Sequence, residues 1–109
     1  MYIQRSLEDK IKERIFGGQV IILYGPRQAG KTTLIKHIIE PYKDSVRYVD
    51  CELLSNRSLL ERRDDKEIFS FVQNFKIVVF DEAQSVQGIG SLLKSLFDHH
   101  PEVQYIATG

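Results

Sequence analysis

Four apolar runs recur along the chain with amphipathic stretches between them. Val20-Ile21-Ile22-Leu23-Tyr24, Val46-Arg47-Tyr48-Val49-Asp50-Cys51, Ile77-Val78-Val79-Phe80 and the stretch from Val103 to Ala107 each have the length and β-branched content of a strand. The first is apolar on both faces, as expected of a central parallel strand covered by helices. Between the runs the spacing becomes helical. Leu34, Ile35, Ile38 and Ile39 fall on one face of Lys31 to Glu40, which Pro41 ends. A helix from Asp65 to about Asn74 is predicted to bury Ile68, Phe69 and Val72, and one from Ile89 to His99 to bury Leu92, Leu93, Leu96 and Phe97 before Pro101. Ahead of the first strand, Ile3, Leu7, Ile11 and Ile15 recur every four residues, with Ser6 and Asp9 as a start signal and Gly17-Gly18 as a stop. Ser58-Leu59-Leu60-Glu61 has the spacing of a capping box.

Strands alternating with helices imply an α/β fold: a parallel sheet with right-handed crossovers, sandwiched between helical layers. Ligands of such sheets sit beyond the carboxyl ends of the strands. No repeat, low-complexity tract or linker divides the 109 residues, so positions 1–109 read as one unit. Composition changes this picture little. Apolar residues at 42 % and charged residues at 28 % are those of a soluble globular domain. No apolar run approaches the roughly 20 residues of a membrane span, and the N-terminus lacks a signal-peptide layout. The single cysteine, Cys51, cannot form an internal disulfide, which fits a cytoplasmic location. Net charge is zero, so nothing global calls for nucleic acid or membrane. The charge is uneven, however: residues 1–63 hold 12 Lys/Arg against 8 Asp/Glu, and residues 64–109 hold 3 against 7. That polarity suits an anion on the first half and a cation on the second.

The chemistry is concentrated where the first strand meets its helix. Gly25-Pro26-Arg27-Gln28-Ala29-Gly30-Lys31-Thr32 satisfies G-x-x-x-x-G-K-[ST] in full, in the strand–turn–helix context the motif requires. Two glycines let successive backbone N–H groups turn inward toward phosphate oxygens. Lys31 supplies a point charge to the terminal phosphates, the Thr32 hydroxyl can ligate Mg2+, and the helix N-terminus favours the same anion. Thr33 completes the phosphate-binding stretch. Arg27 and Gln28 occupy the variable positions of the turn, facing phosphate, a neighbouring subunit or solvent.

The third run ends in Asp81-Glu82. Asp81 is placed to hold Mg2+ next to Thr32, and Glu82 to polarise an attacking water. A Glu directly after the strand Asp favours hydrolysis over phosphoryl transfer to a small molecule. The chain contains no Asn-Lys-x-Asp or Thr-Lys-x-Asp for guanine, so ATP is the expected nucleotide. His99-His100 lack further ligands at metal spacing. Arg62-Arg63 is followed at once by Asp64-Asp65, against a nucleic-acid patch. Gln84 is open to a nucleotide-sensing or a structural role.

Tyr2-Ile3-Gln4-Arg5, Gly25 through Leu34, Asp81-Glu82-Ala83-Gln84 and Ala107-Thr108-Gly109 together resemble the prokaryotic AAA+ family whose phosphate loop reads GPRQ-x-GKTT. The resemblance implies a P-loop NTPase sheet in the order 1-4-3-2. It also implies Mg-ATP hydrolysis using Lys31, Thr32, Asp81 and Glu82, with Thr108 as the polar sensor of the γ-phosphate and Tyr2 to Arg5 near the adenine. Members of that family run to about four hundred residues. On that comparison the chain is an incomplete core, lacking a fifth strand, an arginine finger, a helical lid and a C-terminal domain. ATP/ADP binding with weak turnover is then expected, together with self-association through the exposed sheet edge or as an AAA+-like oligomer. Two alternatives stand beside this: a nucleotide-binding or assembly module without useful catalysis, and a helicase fragment suggested by Asp81-Glu82-Ala83-Gln84. No membrane partner is expected, and a nucleic-acid partner is not indicated.

Overall fold

The four apolar runs pair side by side. In the computed structural model, which describes residues 7–25 and 30–109, β1 (Ile21–Leu23), β2 (Val46–Asp50), β3 (Ile77–Asp81) and β4 (Gln104–Thr108) form one parallel sheet in the order β1-β4-β3-β2. The register aligns Ile21 with Ile106, Leu23 with Thr108, Val79 with Ile106 and Tyr48 with Val79. Ile3, Ser6 and the stretch Tyr2 to Arg5 lie outside the described residues, as do Pro26, Arg27, Gln28 and Ala29 of the phosphate loop.

Helices cover both faces. On one, α1 (Leu7–Arg14) and α2 (Gly30–Ile39) set Ile11, Ile35, Ile38 and Ile39 against Ile21, Ile77, Val79 and Ile106. On the other, α3 (Leu54–Glu61), α4 (Asp65–Val72) and α5 (Ile89–His99) pack Leu60, Phe71, Leu92 and Leu96 against Val78, Phe80, Tyr105 and Ala107. Full burial of side chains of this size stabilises by about 1.5–3 kcal/mol each. β3 and β4 are covered on both sides, which explains why their runs are apolar without alternation.

Several expectations are corrected. β1 is not central: among the described residues it pairs only with β4, and Ile22 is left 55 % exposed. α4 buries Phe71 in place of Phe69, because at about 100° per residue positions 68, 71 and 72 share one face and 69 falls off it. Phe69 instead stacks at a tilt on His100, with ring centroids 4.7 Å apart. Ser58 is no cap. It lies inside α3, whose first turn follows Leu53 without a side-chain cap. The cap in this region is Asp64, whose carboxylate accepts the Glu67 N–H at 3.0 Å. Leu7 is exposed, leaving Ile11 as the buried member of its series in α1.

Two buried polar side chains hold the frame beneath the site. Gln104 donates to the Gln19 and Tyr105 carbonyls and accepts the Phe16 N–H at 2.7 Å, which pins the turn through Phe16 and Gly18, both at positive φ. The Tyr105 hydroxyl donates to the His100 carbonyl at 3.0 Å, next to the end of α5. Burial raises the Tyr105 phenol well above its ordinary range, so it remains a donor.

Candidate functional site

The carboxyl ends of β1, β4 and β3 meet the first turn of α2, and four of the anticipated residues converge there. The Lys31 ammonium donates to the Gly25 carbonyl at 3.0 Å and to the Gly109 carbonyl. Gly25 and Gly109 are joined in turn, since the Gly25 N–H donates to the Gly109 carbonyl at 3.2 Å. The ammonium therefore sits at the mouth of the phosphate loop, held by the strand ends on either side.

Asp81 is the last residue of β3, and its main-chain carbonyl accepts the Cys51 N–H at 2.9 Å. Its carboxylate accepts the Thr108 hydroxyl from β4 at 2.8 Å. From the other flank Tyr48, on β2, stands on the same face of the sheet as this carboxylate, since it pairs with Val79 as Asp50 pairs with Asp81. Burial, and after it the negative charge of Asp81, push the Tyr48 phenol above its ordinary range and keep it protonated. Thr32 and Thr33 follow Lys31 on the exposed first turn of α2.

Glu82 turns the chain out of the sheet in the left-handed conformation, φ 54° and ψ 48°. That geometry is uncommon for a residue with a Cβ and re-aims its side chain relative to Asp81. Its carboxylate accepts a hydrogen bond from the Gln84 amide at 2.6 Å. Gln84 also packs against Gly109: a Cβ at Gly109 would fall 2.1 Å from the Gln84 Oε1. A side chain at position 109 would displace the Gln84 amide from its present place.

The donor set suits Mg2+. Magnesium takes hard oxygens from one or two protein groups and completes its shell with water and phosphate. Asp81 and Thr32 supply a carboxylate and a hydroxyl of that kind. No cluster of three or more His, Cys, Asp or Glu occurs among the described residues, and a Mg-nucleotide site needs none.

Cys51 follows β2 beside these carboxylates but is fully buried. Burial first, then the charges of Asp50, Asp81 and Glu82, push its thiol up to about 12. A thiol so raised is unreactive. Ellman's reagent at pH 8 is expected to leave the native protein unlabelled and to modify one thiol in guanidinium chloride; stoichiometric labelling of the native protein would contradict this burial. A groove of about 650 Å³ between α4 and α5 lies on the opposite face of the sheet from α2 and shares no residue with the site.

Of the residues singled out in the sequence, Lys31, Asp81 and Thr108 lie at neighbouring strand ends, and Thr32 follows Lys31 on α2. Sequence reasoning overlooked Tyr48, whose placement depends on the register of β2 against β3, and the main-chain oxygen of Gly109 that holds Lys31. Contacts of Pro26, Arg27, Gln28 and Ala29 lie outside the described residues.

Comparison with known proteins agrees with this geometry. The sequence profile of a family described as "AAA domain" matches residues 17–109. The chain belongs to that AAA domain family. No curated protein matches it by sequence. Among solved structures, Pif1 helicase from Candida albicans superposes with a TM-score of 0.62 at 17 % identity. That match takes in 100 % of this chain and 33 % of the helicase chain, so this AAA domain spans about a third of the length of that neighbour. At such identity the likeness concerns the fold: a P-loop NTPase sheet with helices on both faces. No helix among the described residues is long and apolar enough to cross a membrane.

Proposed function

We propose that this AAA domain binds Mg-ATP at the mouth of β1, β4 and β3 and serves as the hydrolytic core of an ATPase. The observation that carries the reading is the Lys31 ammonium at the phosphate loop, held on the Gly25 and Gly109 carbonyls beside the Asp81–Thr108 pair. A cation resting on main-chain oxygens can exchange them for the oxygens of a bound phosphate. Thr32 and Asp81 would hold Mg2+, which when bound neutralises charge on the β- and γ-phosphate oxygens.

Glu82 takes the proton of the attacking water as the water oxygen bonds to the γ-phosphorus and the bridging bond to the β-phosphate breaks. ADP and inorganic phosphate leave. Thr108, joined to Asp81, stands where a γ-phosphate contact would be read out. Arg27, Gln28 and Ala29 would line the phosphates with backbone N–H groups, with Pro26 shaping the turn without a donor of its own, and Gly25, Gly30 and Thr33 complete that stretch. An arginine from a neighbouring copy or from another segment would supply the remaining charge, typically worth about 10³–10⁵ in rate. A prokaryotic, cytoplasmic ATPase of the GPRQ-x-GKTT type is the finer reading consistent with the residues.

Calorimetric titration with Mg-ATP is expected to give a saturable isotherm with one site per chain. Phosphate release should be slow and should rise with protein concentration if a neighbouring copy completes the site. No binding heat at millimolar Mg-ATP would overturn the proposal. Binding without turnover at any protein concentration would leave the nucleotide-binding module as the correct reading.

A further inference from the structure

The groove between α4 and α5 has an apolar floor and a cationic rim. Ile68, Leu92 and Leu96 form the floor, and Phe69 stands beside it with 44 % of its surface exposed. Its ring is held in place by the tilted stacking on His100. The rim sorts the charges of the run from Arg62 to Glu67. Asp64 is spent on the cap of α4, and the Glu67 carboxylate is taken by Arg62 at 2.8 Å. Arg63 and Lys66 are left to line the groove, with His99 and His100 opposite them and Asp65 as the one carboxylate among the lining residues. The rim is therefore net positive. Arg63 keeps its place there in left-handed backbone, φ 56°, just past the end of α3, where glycine is the usual residue.

These features select an occupant. The lining runs from Leu92 to His100 along α5, about 12 Å at the helical rise, which is room for about two turns of a third helix. α4 and α5 bond their own main chains, so the groove offers an extended peptide no row of N–H and C=O groups. A helix brings its backbone already satisfied and needs only apolar side chains for the floor. The rim asks for carboxylates on that helix. A nucleic-acid backbone would use Arg63 and Lys66 but leave Phe69 and the floor uncovered.

We infer that the α4–α5 groove docks an acidic amphipathic helix of a partner protein, apolar face down on Phe69 and the floor, carboxylates toward Arg63 and Lys66. The inference is independent of the nucleotide reading, because the groove and the phosphate site have no residue in common.

The probe is a fluorescein-labelled peptide of about three turns, stapled so that it is helical before it binds. It carries leucines along one face and glutamates on the other. Fluorescence anisotropy with the whole chain is expected to show saturable binding, at least about tenfold tighter than for the same peptide with lysines in place of the glutamates. Lys66→Glu and Phe69→Ala should each weaken it by about tenfold. Both positions are exposed, so thermal midpoints should match wild type. Leu54→Ser, at an exposed apolar residue of α3 outside the groove, should bind as wild type does. Absence of saturable binding by the glutamate peptide overturns the inference. Equal affinity for both peptides overturns it as well, since that marks unspecific apolar contact. Wild-type affinity in both Lys66→Glu and Phe69→Ala would put the peptide elsewhere and sink it. So would displacement of the peptide by single-stranded DNA whose own binding is lost in Lys66→Glu but kept in Phe69→Ala, because the rim would then serve phosphates.

Discussion

Lys31→Ala is expected to weaken ATP binding by about 2–5 kcal/mol, roughly 30- to 5000-fold, while leaving the fold intact. The two halves of this expectation come from the same contacts. In the ligand-free site the ammonium donates to the Gly25 and Gly109 carbonyls. Removing it does not orphan Gly109, whose carbonyl still accepts the Gly25 N–H, nor does it open a core cavity, because Lys31 is only half-buried. The thermal midpoint should therefore move little. Binding is another matter, since the lost group is the ammonium that directly follows Gly30 in the phosphate-loop motif, set where the terminal phosphates would lie. Arginine would not substitute, because its planar fork is larger and cannot act as a compact point charge between two strand ends. Calorimetry of the variant decides the point: an ATP affinity within a factor of about two of wild type would remove Lys31 from the site.

The Lys31 site was legible in the sequence because a phosphate loop is local chemistry. Its residues are contiguous, and the strand before and helix after are written in the same twenty positions. Asp81-Glu82 was legible for a similar reason: an apolar run that stops abruptly at two carboxylates marks a strand end. What adjacency could not show is which strand ends meet. The order β1-β4-β3-β2 came from resemblance, and the structure carries it. Tyr48 illustrates the limit. In its own strand it alternates with Val49 as any half-buried residue does, and only the pairing with Val79 sets it on the sheet face that carries Asp81.

Helix faces were misread where a single residue's angle decided the outcome. Phe69 and Phe71 are equally apolar, and only the fixed arc of Ile68, Phe71 and Val72 selects between them. Ser58 failed as a cap because Leu54 to Arg57 already continue the helix upstream. Gly109 entered only as part of the Ala107-Thr108-Gly109 resemblance, and its contacts with Lys31 and Gln84 had no local signal.

Glu82→Gln should keep nucleotide binding and lower turnover by about 10²–10⁴, the usual contribution of a positioned general base. The substitution is close to isosteric, and the surroundings absorb it. The Gln84 amide donates to one Glu82 oxygen at 2.6 Å, and the new side chain can present its carbonyl oxygen to that donor. The left-handed backbone at 82 is indifferent to the exchange, since both residues carry the same stem. What disappears is the ability to take a proton from water. The same contact suggests that Gln84 matters to the base: an amide donating to the carboxylate competes with the water that must use it. If Glu82 is the base, its release from Gln84 would be part of reaching the reactive arrangement, and Gln84 packs against Gly109, whose main-chain oxygen also holds Lys31. Single-turnover phosphate release from pre-bound Mg-ATP measures the chemical step apart from binding. A Glu82→Gln protein that hydrolyses bound ATP at the wild-type rate would exclude Glu82 as the base and return the reading to a domain that grips nucleotide without cleaving it.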